Sequence, residues 1–323
     1  MGEKRALLII NPISGTRSKQ GLSEFVAKRL STIGIDLETK ETKGAGDAYQ
    51  FAKEAVESEY DIVISAGGDG TVNEIGNALT YSKTTLGILP YGSGNGLARS
   101  VGVPQEINGA LKLIEDGHII DSDRGLVNGK PFYCTFGIGF DAAVSEKFAS
   151  MKRRGKITYI RSAFREFLNY QSQAYAIVID GKVITQKAIL IAVCNAPQYG
   201  NNAYIGPKAK LTDGLLDVTV VHAGDLFHTV LMSIEMMTGT LDKDKEIGTF
   251  KVPSLSIVRT KEGPVHLDGE PMQMGKHLDI KCERGVLKVF APEKQVEFIP
   301  FISPIRAILD DMRYDVMDKF RKK

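Results

Sequence analysis

The sequence predicts an α/β fold in which an N-terminal α/β domain is followed by a mainly antiparallel β domain. In the first third of the chain, short apolar runs alternate with segments in which apolar residues recur at helical spacing. This alternation is typical of β–α–β units with a largely parallel sheet. From Asp121 onward short strands follow one another, and the pairs Asn128-Gly129 and Asp180-Gly181 are typical of tight hairpin turns.

Individual elements are predicted from the spacing of apolar residues. In the first part, strands are predicted over 6–11, 35–39, 61–66 and 85–89. Helices are predicted there over 22–33, 47–59, 71–79 and 107–114. In the second part, strands are predicted over 174–179, 188–195, 216–222, 254–260 and 278–283. Further helices are predicted over 157–170, 226–237 and, opened by Pro304, 304–320.

Composition narrows the class of protein. With 323 residues, of which 43% are hydrophobic, the chain can form two domains that each have a core. A formal net charge of +2 gives no indication of nucleic-acid binding. The three cysteines lie far apart without a CxxC pair, which favours a reducing cytoplasm over a disulfide framework. No segment has the pattern of a signal peptide or a membrane span, and the histidines lack metal-ligand spacing and are assigned ordinary surface or packing roles.

The most informative motif is Gly67-Gly68-Asp69-Gly70-Thr71, which lies between an apolar strand and a predicted helix. Glycines let the backbone approach a ligand closely, and the N–H groups at the start of a helix attract an anion. Asp69 would repel a phosphate unless it binds Mg²⁺ or holds a hydroxyl for in-line transfer. The motif therefore predicts a phosphate-binding loop. The alternative is a glycine-rich turn with an aspartate helix cap.

Two further loops follow predicted strands in the same way. One contains Gly92-Ser93-Gly94-Asn95, and the other contains Asn11-Pro12-Ile13-Ser14-Gly15. Loops at the carboxyl ends of neighbouring parallel strands converge on one crevice. We therefore expect Ser93 and Asn95 to contact a bound substrate, although each loop taken alone also fits a plain turn.

Far downstream, Asp268-Gly269-Glu270-Pro271 places two carboxylates around a glycine. Phosphoryl transfer to an alcohol benefits from a positioned carboxylate that takes the hydroxyl proton. By itself the string also fits a β-turn with solvated acids. Its meaning therefore depends on the other motifs.

Together these motifs resemble the bacterial diacylglycerol kinase and sphingosine kinase family of lipid kinases. The resemblance covers almost the whole chain and also includes Lys-Leu-Thr-Asp-Gly-Leu at 210–215. The Gly-Gly-Asp-Gly-Thr motif is shared with NAD kinases and 6-phosphofructokinases. The Asp-Gly-Glu-Pro element after a β-rich half is what singles out the lipid kinases.

The resemblance implies a fold and an activity. A nucleotide-binding α/β domain, similar to those of NAD kinase and phosphofructokinase, is followed by a β-sandwich domain. The C-terminal helix returns to the first domain, which gives predicted domains of 1–122 plus 300–323 and of 123–299. ATP is expected in the cleft between the domains, and the implied reaction is transfer of a phosphoryl group to the hydroxyl of a membrane lipid.

The resemblance also implies roles for individual residues. Glu270 is expected to be the general base, and Asp69 the essential aspartate of its loop. A structural Mg²⁺ is implied at the side chain of Asp213 with main-chain oxygens of Lys210 and Leu215, a ligand type that suits the ion, the alternative being an Asp-Gly turn. The implied nucleotide-binding residues are Asn11, Thr42, Gly67, Gly68, Asp69, Gly70, Thr71, Val72, Asn73 and Ser93.

The lipid acceptor stays open between diacylglycerol, ceramide and a sphingoid base such as sphinganine. Asp141 resembles a position that faces the lipid headgroup, and Asn95 is a second candidate for lipid contact. The second loop reads Gly-Ser-Gly-Asn-Gly-Leu-Ala, whereas bacterial diacylglycerol kinases usually have Gly-Thr-x-Asn-Asp-Phe-Ala. The version in this chain is closer to the sphingosine and ceramide kinase branch.

The expected cofactors are ATP and Mg²⁺, and the expected partner is a membrane lipid rather than nucleic acid, with a homodimer left open. A basic run from Lys147 to Lys156 either docks on anionic headgroups or is a solvated loop. The expected location is cytoplasmic, peripheral at the inner face of the membrane. Two rival functions are a kinase of a soluble acceptor such as NAD and a nucleotide- or lipid-binding protein without catalytic activity.

Overall fold

A computed structural model describes residues 4–150, 171–200, 202–222, 232, 234–244 and 247–294. The helices predicted over 157–170 and 304–320 lie outside the described residues. So do most of the helix predicted over 226–237, much of the basic run and the segment 300–323 of the predicted first domain. Among the helices that are described, none combines the length and the apolar character needed to span a bilayer.

The first part of the chain forms a parallel sheet covered by helices. Its strands are β1 (Lys4–Ile10), β2 (Ile35–Glu41), β3 (Ile62–Gly67) and β4 (Thr85–Pro90). Its helices are α1 (Leu22–Ser31), α2 (Asp47–Glu57), α3 (Asp69–Leu79), α4 (Gly96–Val101) and α5 (Ile107–Asp116). β1 pairs in parallel with β2 and β3, and β3 pairs in parallel with β4. Every residue of β3 and β4 is buried, as expected for a parallel sheet with both faces covered.

The second part is a sandwich of antiparallel strands. In chain order, its first elements are β5 (Ile119–Val127), β6 (Lys130–Phe132), β7 (Thr135–Gly139), α6 (Phe140–Ser150), β8 (Gln173–Ile179), β9 (Lys182–Ala188) and β10 (Leu190–Cys194). It continues with β11 (Leu216–Val221), a 3₁₀ turn (Leu241–Lys243), β12 (Ile247–Val252), β13 (Ser254–Arg259), β14 (Gly263–Leu267), β15 (Glu270–Met274) and β16 (His277–Phe290). One sheet has the order β12–β11–β10–β7–β14–β15. Its apolar face packs on the other sheet around Phe132, Phe136 and Tyr175.

Strand β16 joins the two parts through main-chain pairing. Its first residues pair antiparallel with β13, and Val289 near its end pairs in parallel with Leu86 of β4. β5 runs antiparallel along β16, with an irregularity between Glu283 and Leu287. A ten-stranded sheet therefore runs through both parts. The second part is held beside the carboxyl ends of the parallel strands.

The predicted fold class is confirmed: an α/β part with a parallel sheet precedes an antiparallel β-sandwich. Both predicted hairpin turns are present, with positive φ at Asn128 and Gly129 and at Asp180 and Gly181. The short helix α4 was not predicted, because its glycine-rich start favours a loop in sequence. Strands β7, β12, β14 and β15 were also missed, since each is short or interrupted by glycine, proline or polar residues. The proposed domain boundaries stay a prediction.

Candidate active site

A cleft of about 440 Å³ lies where loops from the two parts meet. Three loops from the carboxyl ends of parallel strands form one wall: the Ser14 loop (11–21), the Asp69 loop (67–70) and the Ser93 loop (91–95). The opposite wall comes from the Glu270 hairpin, which consists of β14, β15 and the turn Asp268-Gly269. The lining residues are Ser14, Gly15, Gly68, Asp69, Gly70, Gly92, Ser93, Ser145, Asp268, Gly269, Glu270 and Pro271. The structure thus brings residues of four sequence motifs (11–15, 67–71, 92–95 and 268–271) into one site, whereas no residue of the 210–215 motif lines it.

Glycines let the three loops touch through their backbones. A Cβ on Gly92 would lie 2.6 Å from Cα of Gly68, and a Cβ on Gly15 would lie 1.8 Å from the carbonyl oxygen of Tyr91. Gly15 also has a φ of +65°, which disfavours other residues. No side chain fits at either crossing. The cleft floor is therefore main chain, which leaves room for a ligand to approach the start of α3.

Several predicted nucleotide-binding residues belong to the framework of the loops. The Asn11 side-chain amide donates to Thr71 Oγ1 at 3.1 Å, which ties the Ser14 loop to the start of α3. The Thr71 side chain also packs directly over Gly67. Thr42 is buried at the end of β2, and its N–H donates to the Ile10 carbonyl. Of the predicted set, only Gly68, Asp69, Gly70 and Ser93 line the cleft itself.

Asp69 organises the neighbouring loop. Its Oδ1 accepts the N–H of Gly96 at 2.6 Å, and its Oδ2 accepts the N–H of Asn95 at 2.9 Å. A Cβ on Gly94 would lie 2.7 Å from Oδ2, so the loop wraps closely around the carboxylate. Burial raises the pKa of Asp69, the hydrogen bond from Gly96 opposes this rise, and the nearby Asp268 adds to it. Asp69 thus holds the first residues of α4 as well as facing the cleft.

Asp268 joins the second part to α3. Its Oδ1 accepts the N–H groups of Cys134 and Thr135 at 2.7 and 2.9 Å. Its Oδ2 accepts the N–H of Tyr133 at 2.8 Å and the side-chain amide of Asn73, on α3, at 2.9 Å. Burial raises the pKa of Asp268, and these four donors oppose the rise. Asn73 supplies the α3 side of this contact, and its predicted contact with a nucleotide stays a prediction.

Glu270 lies across the cleft from the start of α3. Its Oε1 is 3.1 Å from the position that a Cβ on Gly70 would take. The side chain is exposed within the cleft. Partial desolvation there raises its pKa, and the negative charges of Asp268, Glu74 and Asp69 add to the effect. A carboxylate with a raised pKa at a phosphate-type loop is suited to accept a proton.

The described lining of the cleft carries acids and no lysine or arginine. Lys19, which sequence reasoning missed, bonds to one residue of this lining. Its ammonium donates to the Ser14 carbonyl at 2.6 Å and lies 4.6 Å from the centre of the Tyr91 ring. Burial lowers the pKa of Lys19. The negative charge of a polyanionic ligand would therefore be balanced by main-chain N–H groups, by Lys19 at the edge of the cleft and by a cation bound to the ligand itself.

The two residues predicted to contact lipid do not line the cleft. Asn95 is buried, and its amide nitrogen donates to the Gly92 carbonyl at 2.8 Å and to Gln105 Oε1 at 2.9 Å. Asp141, on the first turn of α6, lies behind the Glu270 hairpin and contacts His266. The geometry gives both residues framework roles. Their contact with lipid stays a prediction.

The predicted Mg²⁺ site at Asp213 is arranged around an ammonium group. Lys251 Nζ lies 3.1 Å from Asp213 Oδ2 and 3.0 Å from Asp217 Oδ2, and donates to the Lys208 carbonyl at 2.8 Å. The other oxygen of Asp213 accepts the N–H of Leu215. Among the described residues, no three His, Cys, Asp or Glu side chains form a group that could hold a metal. The ammonium of Lys251 contacts one oxygen of Asp213. The Mg²⁺ site with main-chain oxygens of Lys210 and Leu215 stays a prediction, and no step of the chemistry below uses it.

Comparison with known proteins agrees with this geometry. The family described as "Diacylglycerol kinase catalytic domain" matches residues 5–127, and "YegS C-terminal NAD kinase beta sandwich-like domain" matches residues 135–291. The diacylglycerol kinase of Bacillus subtilis (strain 168) is 30% identical over 274 residues, 83% of this chain and 90% of the relative. A Pseudomonas syringae pv. syringae (strain B728a) protein named "Probable lipid kinase YegS-like" is 29% identical over 299 residues, 90% of this chain and 95% of the relative.

Solved structures give the same result. A diacylglycerol kinase from Bacillus anthracis str. Sterne superposes with a TM-score of 0.70 and 26% identity, and the match covers 91% of this chain and 98% of the other. The fold, the glycine-rich cleft and these relatives define a kinase. The chain belongs to the diacylglycerol kinase family.

Replacing Asp69 by asparagine tests its role in holding the Ser93 loop. An asparagine has one acceptor oxygen, so either the Asn95 or the Gly96 N–H loses its partner. We expect Asp69→Asn to fold, to lower kinase turnover by about 10²-fold through misplacement of the loop, and to speed amide exchange at Asn95 and Gly96. The matched control is Asp36→Asn, an exposed carboxylate on β2. Normal turnover with unchanged exchange in Asp69→Asn would exclude this role.

Proposed function

We propose that this chain transfers the γ-phosphoryl group of MgATP to the hydroxyl of a membrane lipid, with Glu270 as the general base. The observation that carries the proposal is the placement of Glu270 opposite the start of α3, in a cleft that the Asp69 loop also lines. Glu270, as the proton acceptor, therefore faces a loop of the kind that binds phosphate. Phosphoryl transfer to an alcohol needs this pairing.

The wall formed by the first part suits a nucleotide triphosphate. The N-terminus of α3 points main-chain N–H groups and the positive end of its dipole at the cleft. Glycines at 68, 70 and 92 keep side chains away from this surface. Because the lining acids would repel bare phosphates, ATP is expected to arrive with its own Mg²⁺ as part of the substrate.

The chemical step follows from the position of Glu270. Its carboxylate takes the proton of the lipid hydroxyl as the oxygen attacks the γ-phosphorus. The bond between that phosphorus and the β–γ bridging oxygen breaks, and ADP leaves with the electron pair. The raised pKa of Glu270 makes the carboxylate a stronger base than an ordinary glutamate.

The acceptor is a hydroxyl-bearing lipid, for which diacylglycerol is supported by the names of the relatives. A sphingoid base or ceramide is supported by the Gly-Ser-Gly-Asn-Gly-Leu-Ala sequence of the second loop. A lipid acceptor requires contact with a membrane surface, and a cytoplasmic, peripheral location at the inner face is part of the proposal. The basic run that suggested docking lies largely outside the described residues.

A substrate panel with a base-deficient variant tests the function. The acceptors are diacylglycerol, monoacylglycerol, sphinganine and ceramide in mixed micelles, and NAD in solution, with radiolabelled ATP as donor. We expect phosphorylation of a lipid and not of NAD. Glu270→Gln should lower turnover by about 10²- to 10⁴-fold, because a positioned base contributes that much, while ATP affinity and unfolding stay unchanged.

The control is Glu262→Gln, an exposed carboxylate just before β14. Phosphorylation of NAD alone would place the chain with kinases of soluble acceptors. Nucleotide binding without ATP consumption on any acceptor would identify a binding protein. Wild-type turnover in Glu270→Gln would remove that residue from the mechanism.

The pH dependence of turnover tests the electrostatics of Glu270. Activity requires the ionised carboxylate, so kcat/KM falls as pH drops through its pKa. Because that pKa is raised, the loss should begin above the ordinary value of about 4.3. Glu74→Gln removes one of the negative charges that raise it, so the acidic limb should move to lower pH. An unchanged limb in Glu74→Gln would contradict this origin of the shift.

A further inference from the structure

A chain of hydrogen bonds lies directly behind the turn that carries Glu270. The N–H of Gly269 donates to His266 Nδ1 at 3.4 Å, and His266 Nε2 lies 2.9 Å from Asp141 Oδ2. The Tyr199 hydroxyl donates to the same oxygen of Asp141 at 3.0 Å. The network ends one residue before Glu270. None of its three side chains lines the cleft.

The bonds fix the tautomer of His266. Since Nδ1 accepts the Gly269 N–H, the ring proton lies on Nε2 and is donated to Asp141. The imidazole is therefore held at both nitrogens. A ring held in this way has one orientation, and the turn bonded to it has one position relative to Asp141.

The side chains of His266 and Asp141 are tightly packed. His266 is 1% exposed, and the Tyr199 ring meets it edge-on at 5.6 Å. His266 of β14 is paired with Gly137 of β7. A Cβ on Gly137 would lie 2.0 Å from Asp141 Oδ2 and 2.3 Å from His266 Nε2. The contact between the imidazole and the carboxylate thus depends on a glycine at this position of β7.

The network also ties the hairpin to the helix on its flank. Asp141 lies on the first turn of α6, which packs against β14 and β15. Ser145, one turn later on the same helix, lines the cleft. Asp141 accepts the Ala142 N–H through Oδ1, so its carboxylate is fixed on the α6 side as well. Helix and hairpin are held as one wall.

We propose that His266 is a positioning residue, which holds the Glu270 turn against α6 through Gly269 and Asp141 and does not touch the reactants. The proposal rests on the proposed function of Glu270 as the base. It gives Asp141 the task of orienting the imidazole, and it assigns a role to a histidine for which the sequence indicated only packing.

A double-mutant cycle tests the proposal. His266→Phe removes both hydrogen bonds and keeps a ring; it should lower kcat by about 10²-fold and leave the KM for ATP near the wild-type value. If His266 acts by placing Glu270, the same substitution in Glu270→Gln should leave the residual kcat nearly unchanged. Equal fold losses in both backgrounds would overturn the proposal, as would a normal kcat in His266→Phe. The matched control is His222→Phe, because the wild-type His222 ring also makes a hydrogen bond, to the Lys187 carbonyl, but does so at the surface.

Conservative variants separate the two halves of the network and remain informative if His266→Phe does not fold. Asparagine can keep an acceptor near Nδ1 for Gly269, and glutamine can keep a donor near Nε2 for Asp141. We expect each to recover part of the kcat that phenylalanine loses. Gly137→Ala leaves His266 and Asp141 in the sequence but places a Cβ between their side chains. This variant should therefore lower kcat in the same way. Failure of both amide variants to exceed phenylalanine would contradict a hydrogen-bonding role.

Hydrogen exchange gives a readout that does not need a substrate. In the full chain without ligands, amide exchange at Gly269 and Glu270 should be faster in His266→Gln and His266→Phe, which lose the acceptor for the Gly269 N–H, than in His222→Phe. Unchanged exchange at the turn would overturn the positioning role even if kcat fell. Should the wild type phosphorylate no lipid, the proposed function fails, while the exchange result still decides whether His266 holds the turn.

Discussion

The geometry of the cleft depends on one partly buried carboxylate. Asp268 is placed at the end of β14 in a turn with positive φ at Asp268 and Gly269, and its oxygens accept three successive main-chain N–H groups and the Asn73 amide. A carboxylate removed from water is unfavourable unless such donors replace its hydration. Because one of the donors belongs to α3 and the others to the second part, satisfying this charge fixes the two walls of the cleft relative to each other. Glu270 follows two residues later and takes its position from that contact.

The acids of the cleft affect one another electrostatically. Asp69, Asp268 and Glu270 each have a raised pKa. The charge of Asp268 raises the pKa of both Asp69 and Glu270, and the charge of Asp69 also raises the pKa of Glu270. Asp69 and Asp268 are held by main-chain N–H groups, whereas no such donor to Glu270 is found among the described contacts. The structural acids thus strengthen the base beside them. A nucleotide that brings Mg²⁺ would reduce this repulsion when it binds.

The sequence predicted the features that depend on local order. The context of Gly67–Gly70 between strand and helix, and the Asn-Gly and Asp-Gly hairpins, need only neighbouring residues. It did not predict that Asp268 joins the two walls of the cleft, because this side chain finds its partners more than a hundred positions earlier in the chain. His266 looked ordinary since its partner Asp141 lies on α6. Asp213 has the residues of a cation loop, but the ammonium of Lys251, which only the folded chain brings near, is at its carboxylate.

The most direct measurement of the central claim is the stability and turnover of Asp268→Asn, with the surface carboxylate variant Asp279→Asn as control. Asparagine keeps the size of the side chain but turns one acceptor into a donor that faces N–H groups. We predict a loss of about 2 kcal/mol or more in the free energy of unfolding. We also predict a fall in phosphoryl transfer at saturating ATP of about 10²-fold in protein that remains folded. A variant as stable and as active as wild type would show that this carboxylate does not hold the two walls together.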